Sequence, residues 1–375
     1  MPLLSLGHAL KKASKDCRVV YIGLKDEALA ETLKARFRIF DAVYYVPAGK
    51  FRRYHGESLL AHLTDLRTLA LNARDFFRVL AGIGYAKKYL KQINPDVVLS
   101  KGGFVAVPVG VAAKLLKIPI VTHDSDTVPG LANRIVGRFA AVRATGMPAS
   151  YYKHHKGSIH YFGIPLDERI KPVNQAMQVN FKKGLKIPTD SLVLLIGGSG
   201  LGARDVNNKV LAVAADILKL FPRLYIVHAA GQKHQEQVEK SYRTIGVDSK
   251  RVKVLGFTPD FYKYSGAADL IVSRAGATTI AELAAQKKAV ILIPAAHLTG
   301  GHQLKNATEL AKNQAVLVVD NDSPADELLA VVSQILEDEP ARRKLADNLG
   351  ALAKPDAADK LAELLLKVAH RQIKQ

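Results

Sequence analysis

Short apolar runs recur along this chain, separated by helix-like stretches. They are Val19–Ile22, Val97–Leu99, Ile118–Val121, Leu192–Ile196, Leu224–Val227, Leu270–Val272, Val290–Ile293 and Val316–Val319. Runs that are apolar at every position, instead of every second one, fit strands buried on both faces. Such strands alternating with helices predict an α/β fold of parallel sheets covered by helices on both sides. A chain of 375 residues has room for about two such domains. One sheet is expected from the start to about Phe162 and the other from about Leu192 to Asp320. Gly163-Ile164-Pro165, followed by Lys171, Pro172 and Asn174, reads as the hinge between them. The boundaries expected are 1–165, 166–350 and 351–375. Ser323-Pro324 predicts an N-cap and a first-turn proline, with Asp326 and Glu327 in the first turn. Lys354-Pro355-Asp356 breaks the pattern before a last amphipathic helix reaching about Val368.

Charge narrows the partners. Lys and Arg outnumber Asp and Glu by 54 to 34, a net charge of +20, which points to anionic partners or to a lysine-rich solvated surface. No helix-turn-helix signature, zinc spacing or aromatic RNA-binding motif supports nucleic acid. Membrane surface and phosphorylated substrate remain. Lys50, Arg52 and Arg53 lie near Phe51, and Arg74 to Tyr89 sets Phe76, Phe77, Val79, Leu80 and Ile83 among Arg74, Arg78, Lys87 and Lys88. Apolar anchors among basic residues suit an anionic bilayer surface; the alternative is a helix packed on its own sheet. The single cysteine, Cys17, excludes a disulfide framework and makes a reducing cytoplasm the default compartment. No apolar run reaches the roughly 18 residues of a membrane span. Met1 to Leu10 is apolar with lysines after it instead of before it, so no signal peptide is expected.

Three glycine turns sit where strands are expected to end. Leu192–Ile196 runs into Gly197-Gly198-Ser199-Gly200-Leu201-Gly202-Ala203 and then a helix. A glycine loop there lets backbone N–H groups approach a phosphate, and the helix N-terminus adds positive charge. No Gly-Lys-Ser/Thr follows, so it is no Walker loop, and it is no clean dinucleotide fingerprint. After Leu270–Val272 comes Ser273-Arg274-Ala275-Gly276-Ala277-Thr278-Thr279-Ile280-Ala281-Glu282. Glu282 is placed to accept hydrogen bonds from two ribose hydroxyls, or to cap its own helix. Ser100-Lys101-Gly102-Gly103-Phe104 follows Val97–Leu99, and His123-Asp124-Ser125-Asp126 follows Ile118–Val121. Paired carboxylates at a ligand-bearing sheet edge suit a general base or hydroxyl contacts, or helix capping. The polar loop His297 to Gln303, before Lys305-Asn306, could meet a sugar or simply open a helix. No cluster has metal spacing, and neither metal nor cofactor is expected.

With these residues in view, the chain resembles the UDP-N-acetylglucosamine:undecaprenyl-diphospho-muramoylpentapeptide N-acetylglucosaminyltransferases of peptidoglycan synthesis, the MurG type. The matching runs are Gly102 to Arg134, Gly197 to Asn207, Ser273 to Glu282, His302 to Ala307 and Ala353 to Ala358. The resemblance implies two Rossmann-like lobes facing a cleft, the GT-B glycosyltransferase architecture, with a C-terminal helix crossing back to the first lobe. It implies a donor site in the second lobe. Ser199, Gly200 and Gly202 face the UDP diphosphate, Thr258 lies by the uracil, Ala277, Thr278 and Thr279 line phosphate and sugar, Glu282 holds the ribose, and Gln303 contacts the N-acetylglucosamine. Gly102, Gly103, Phe104 and Asp126 face the acceptor, with Asp124 and Asp126 as the candidate bases. The partners implied are UDP-N-acetylglucosamine, the undecaprenyl-linked muramoylpentapeptide and an anionic membrane, at the cytoplasmic face of the bacterial plasma membrane.

The sequence departs from the family pattern. Asp124 stands where Glu is usual and Asp126 where Asn is usual. Leu166-Asp167 follows the hinge proline in place of an Arg, with Arg169 next in line to supply one, and the loop at Ser199 is one residue longer. The family opens with a strand and a histidine-bearing glycine loop, whereas this chain opens inside the helix that follows. Reading on from that difference, slow transfer and a start about 15–20 residues upstream are expected, from the length of a strand plus loop. The alternatives are a glycolipid synthase with a diacylglycerol acceptor, a UDP-sugar epimerase, and a non-catalytic UDP-sugar-binding protein.

Overall fold

The computed structural model describes residues 2–24, 39–50, 66–152, 159–197, 202–295 and 301–373. In chain order the elements are α1 (Pro2–Ala13), β1 (Val20–Leu24), β2 (Ala42–Val46), α2 (Leu66–Ile93), β3 (Val98–Ser100), α3 (Ala106–Leu115), β4 (Ile120–Asp124), α4 (Leu131–Val136), β5 (Val142–Thr145) and β6 (Ile159–Tyr161). There follow α5 (Gln175–Gly184), β7 (Leu192–Ile196), α6 (Arg204–Leu220), β8 (Leu224–Ala229), α7 (Gln235–Thr244), β9 (Val252–Leu255), α8 (Phe261–Ala267), β10 (Leu270–Ser273) and α9 (Ala277–Ala285). Then come β11 (Val290–Leu292), α10 (His302–Lys312), β12 (Leu317–Val318), α11 (Ala325–Glu337), α12 (Glu339–Ala351) and α13 (Ala357–Ile373).

The chain divides into two compact units, Met1–Asp167 with Pro355–Gln375, and Glu168–Lys354. The divisions fall at 167/168 and 354/355, beside the expected 165/166 and 350/351.

In the second unit six parallel strands run in the order β12-β11-β10-β7-β8-β9. Alternate residues of each inner strand point to opposite faces. Leu194, Ile196, Leu270, Val272 and Ile291 pack against Val210, Val213 and Ile217 of α6 and Leu328 and Val332 of α11. Val193, Leu195, Ile271, Val290 and Leu292 pack against Ile280 and Leu283 of α9 and Leu310 of α10. Both faces are therefore buried, which is why the sequence shows no alternation. Below the sheet's amino-terminal edge, Lys182 donates to Asp269 at 3.1 Å and to the Ser191 carbonyl at 2.8 Å, so the buried ammonium has a counter-charge and a second acceptor.

In the first unit the described strands form two parallel sheets, β1-β2 and β3-β4-β5-β6. Val121 and Ala144 face Leu6 and Ala9 of α1 and Leu361 and Leu365 of α13. On the other face Val46 and Ile120 meet Ala86 and Leu90 of α2, Val109 of α3 and Val136 of α4. A cavity of about 650 Å³ is lined by Ile22 of β1, Leu99 of β3, Leu6 of α1 and Leu365 of α13. By strand order, this is the place that β7 holds in the second unit.

Four strands escaped the sequence reading: β2, β5, β6 and β9. Most of their residues are short of full burial, Val46, Ala144 and Thr145 excepted, and β5, β6 and β9 mix polar with apolar side chains; β9, at a sheet edge, reads Val-Lys-Val-Leu. The expectation that every apolar run is wholly buried fails at β1, where only Gly23 is buried, and at β3, where only Ser100 is, because both strands border the cavity, and at the edge strand β12, whose two residues are half-buried. The expected Ser323 cap is also corrected: Pro324 holds the N-cap position of α11, and the Ser323 hydroxyl donates instead to the Asp320 carbonyl. The last helix runs on to Ile373, past Val368.

On α2 the residues Asp75, Val79, Gly82, Ala86 and Leu90 form the buried face. Phe76, Phe77 and Leu80 lie outside it, Phe77 67% exposed. The stretch thus packs on its own unit through one face and presents the phenylalanines on another. Phe51, Arg52 and Arg53 lie outside the described residues. No described helix is long and apolar enough to cross a membrane.

The seam between α1 and α13 gives a stability test. Leu361 is fully buried there, so Leu361→Ala is expected to cost about 2–5 kcal/mol. Urea denaturation should show it as a lowered midpoint with little change in slope.

Candidate functional site

Strand order in the second unit reverses at its centre: the chain goes outward from β7 to β8 and β9, then returns to β10 on the other side of β7. Two neighbouring parallel strands whose connections diverge leave a crevice at their carboxyl ends. The turn after β7 and the turn after β10 flank it.

The first turn needs its glycines. Gly202 has φ +78°, and a Cβ there would collide with the Ala230 carbonyl. Gly197 has φ +140° and lies against Ala229. Gly198, Ser199, Gly200 and Leu201 lie outside the described residues, so the Ser199 and Gly200 assignments are not located. Behind the turn, Asn207 donates to the Ala230 carbonyl at 3.1 Å and accepts from His228 Nε2 at 3.0 Å. Tyr242 lies 2.9 Å from His228 Nδ1. Burial pushes the His228 pKa down to about 3, so the ring is neutral and takes one hydrogen bond as donor and one as acceptor.

The second turn is fixed by Arg274. Its guanidinium donates to the Ile293 carbonyl at 3.0 Å, Asn321 Oδ1 at 2.7 Å and Asp205 Oδ2 at 2.8 Å. It thus ties the carboxyl ends of β10 and β11 to the first turn of α6. Asn306 on α10 donates to the Ala275 carbonyl at 3.0 Å. Gly276, which has no side chain, holds the N-cap position of α9, and Glu282 lies on the second turn of that helix. Thr278 and Glu282, one turn apart, share a half-buried side of α9, whereas Ala277 and Thr279 are buried. The Gln303 side-chain oxygen accepts from the Ala295 N–H at 3.0 Å. Thr258, beyond β9, accepts from the Asp260 N–H at 3.2 Å and shapes the turn into α8. Arg169 lies with its guanidinium 4.9 Å from the Tyr262 ring centre.

The first unit repeats the arrangement at β3 and β4. Gly102 and Gly103 take φ +85° and +82°, a turn that side chains resist. Ser100 donates to Asn133 Oδ1 at 2.7 Å, and Asn133 Nδ2 donates to the His123 carbonyl at 3.1 Å and to Asp124 Oδ1 at 3.0 Å. One amide on α4 therefore joins the two strand ends. Phe104 is half-exposed, with Lys50 Nζ 6.0 Å from its ring centre. The Tyr152 hydroxyl donates to the Asp126 carbonyl at 2.7 Å. Gly130, which has no side chain, holds the N-cap position of α4, and the Asp124 carboxylate accepts from its N–H. Burial raises the Asp124 carboxyl pKa, opposed by the Asn133 hydrogen bond, the Gly130 N–H and the Lys101 charge. Among the described residues no three His, Cys, Asp or Glu side chains gather as metal ligands.

Sequence reading found the turns but not what holds them. Lys101, His123, Asn133, Asn207, His228 and Arg274 each bridge segments 10 to 69 residues apart. The only signal available was the placing of polar residues in or beside glycine turns.

Known proteins share this frame. Residues 1–145 match the glycosyltransferase family 28 N-terminal domain and residues 192–361 its C-terminal domain. A Bacillus anthracis protein, UDP-N-acetylglucosamine–N-acetylmuramyl-(pentapeptide) pyrophosphoryl-undecaprenol N-acetylglucosamine transferase 1, is 31% identical over 373 residues, covering 99% of this chain and 96% of its own. The transferase of that name from Halalkalibacterium halodurans is 31% identical over 98% of this chain and 96% of its own. Among solved structures, Acinetobacter baumannii MurG superposes with a TM-score of 0.73 at 25% identity, covering 98% and 95% of the two chains. A Neisseria meningitidis UDP-GlcNAc 2-epimerase shares the fold, with a TM-score of 0.65 at 14% identity over 97% and 96%. The switch-point turns, the two domain matches and the near-full-length likeness agree, and the chain belongs to glycosyltransferase family 28, among the pyrophosphoryl-undecaprenol N-acetylglucosamine transferases.

Proposed function

We propose that this chain transfers N-acetylglucosamine from UDP-N-acetylglucosamine to the undecaprenyl-linked diphospho-muramoylpentapeptide of peptidoglycan synthesis. The observation that carries the reading is the pair of glycine turns at the β7/β10 switch point, in a chain whose near-full-length relatives bear that activity in their names. The second unit takes the donor. The turn after β7 and the start of α9 receive the diphosphate through backbone N–H groups and the helix dipole. Glu282 accepts from the ribose hydroxyls, Thr278 and Thr279 lie toward phosphate and sugar, and Thr258 sits by the uracil. The Ala295 N–H holds the oxygen of Gln303, which leaves its amide NH₂ and the oxygen's second lone pair to offer to the sugar hydroxyls.

The first unit takes the acceptor at Gly102-Gly103-Phe104. Asp124 or Asp126 removes the proton of the acceptor hydroxyl as its oxygen attacks the anomeric carbon. That centre inverts and UDP leaves. A carboxyl whose pKa is raised by burial, as at Asp124, is a better base than an exposed one. Charge on the departing diphosphate is met by turn amides and the helix dipole, so the reading needs no metal. Phe76, Phe77 and Leu80, on the same helix as Lys87 and Lys88 and as Arg74 and Arg78, which pair with Asp75, seat the protein peripherally on the anionic cytoplasmic face of the plasma membrane.

Incubation with UDP-N-acetylglucosamine and a synthetic lipid-linked muramoylpentapeptide should yield the disaccharide lipid and UDP. Transfer to diacylglycerol instead, or 2-epimerisation of the donor alone, would overturn the reading. Glu282→Ala removes two charge-assisted hydrogen bonds, on the order of 2–3 kcal/mol, and should weaken UDP about 30–150-fold by calorimetry. Excess EDTA should leave the transfer rate unchanged. Vesicle flotation should show salt-sensitive binding to anionic lipid, reduced by Phe76→Ser with Phe77→Ser, and no such binding to neutral lipid.

A further inference from the structure

Lys101, directly after β3, is turned inward. Its Nζ lies 2.6 Å from His123 Nδ1 and 2.9 Å from Ser125 Oγ. His123 is fully buried, and its Nε2 lies 2.8 Å from the Gly163 carbonyl. A carbonyl only accepts, so Nε2 carries the hydrogen, and Nδ1 of the neutral ring accepts from the lysine. Burial and the neighbouring lysine hold the His123 pKa down to about 3, so the imidazole is a fixed strut and no proton donor. His123 and Ser125 flank Asp124 in sequence. Lys101 therefore grips the side chains on both sides of that carboxylate, while Asn133 holds its Oδ1 from α4.

We propose that Lys101 is a positioning residue for the Asp124–Asp126 turn, holding the two carboxylates in their working geometry through His123 and Ser125 and through its own charge. The proposal rests on the reading of those aspartates as the acceptor-side base. The groups that set the charge at Asp124 are Lys101 at the end of β3 and Asp126 in the same turn, with the uncharged donors Asn133 and Gly130; burial and the two carboxylates push the Tyr152 phenol, beyond β5, further up, so it faces them neutral. Desolvation brings the Lys101 ammonium down to about 8, while Asp124 and Asp126 sustain its charge. At neutral pH the lysine is thus mostly cationic and favours the ionised form of Asp124. Its removal must raise the Asp124 pKa and move the acid limb of the rate profile to higher pH.

The test uses the full chain, UDP-N-acetylglucosamine and the synthetic lipid acceptor. Lys101→Met should lower kcat by about 10²-fold, the usual cost of a small misplacement. Its acid limb should shift upward, while UDP affinity by calorimetry stays at the wild-type value. Lys101→Arg keeps the charge, so its acid limb should stay in place even where kcat falls. Lys101→Gln, polar but uncharged, gives the same decision as Lys101→Met if that variant does not fold. A wild-type kcat in Lys101→Met, or a lowered kcat with an unmoved acid limb, overturns the proposal while Asp124→Asn and Asp126→Asn remain impaired. If both aspartate variants turn over at the wild-type rate, the base reading itself fails, and the proposal with it.

Discussion

Parallel strand pairing, with both faces of the sheet buried, is the constraint from which the other features follow. A parallel strand can be continued only by a crossover, and a right-handed crossover lays its helix on one face or the other. Every turn that leaves a strand's carboxyl end then falls on the same edge of its sheet. In the second unit this brings the turns after β7 and β10 side by side, although Gly202 and Gly276 are far apart in sequence. The first unit sets the turns after β3 and β4 together in the same way.

Polar groups carried inside by that packing had to be partnered. Arg274, Asn207 and His228 in the second unit, and Lys101, His123 and Asn133 in the first, lie at strand ends where free backbone carbonyls also need donors. An unpartnered polar atom in such a place costs about 1–3 kcal/mol, and more if charged. Satisfying them ties each glycine turn to a neighbouring strand or helix. The buried network thereby gives turn geometry as well as stability: the Ala230 carbonyl that Gly202 approaches closely, for want of a Cβ, also accepts from Asn207.

The two units show how far local pattern carries. Strands β7, β10 and β11 were legible because nearly every residue in them is buried, and burial is what an apolar run records. β5, β6 and β9 were not, since positions short of full burial admit Arg143, His160 and Lys253. The glycine turns were legible because positive φ at Gly102, Gly103 and Gly202 selects one residue type. Ser323 read as a cap because its type and position fit, but its hydroxyl found the Asp320 carbonyl nearer.

The sequence by itself determined the fold class, the two-part organisation of the sheets, the turns that carry candidate chemistry and the family resemblance. Each of these is written in local composition and spacing. Only the tertiary structure decided strand order, the switch point between β7 and β10, the cavity beside β1, and the partners of Lys101, Arg274 and Asn207. The physical reason is range. A hydrogen bond between residues 22 or 69 positions apart leaves no periodic mark on the chain, and a buried lysine has the same letter as a solvated one.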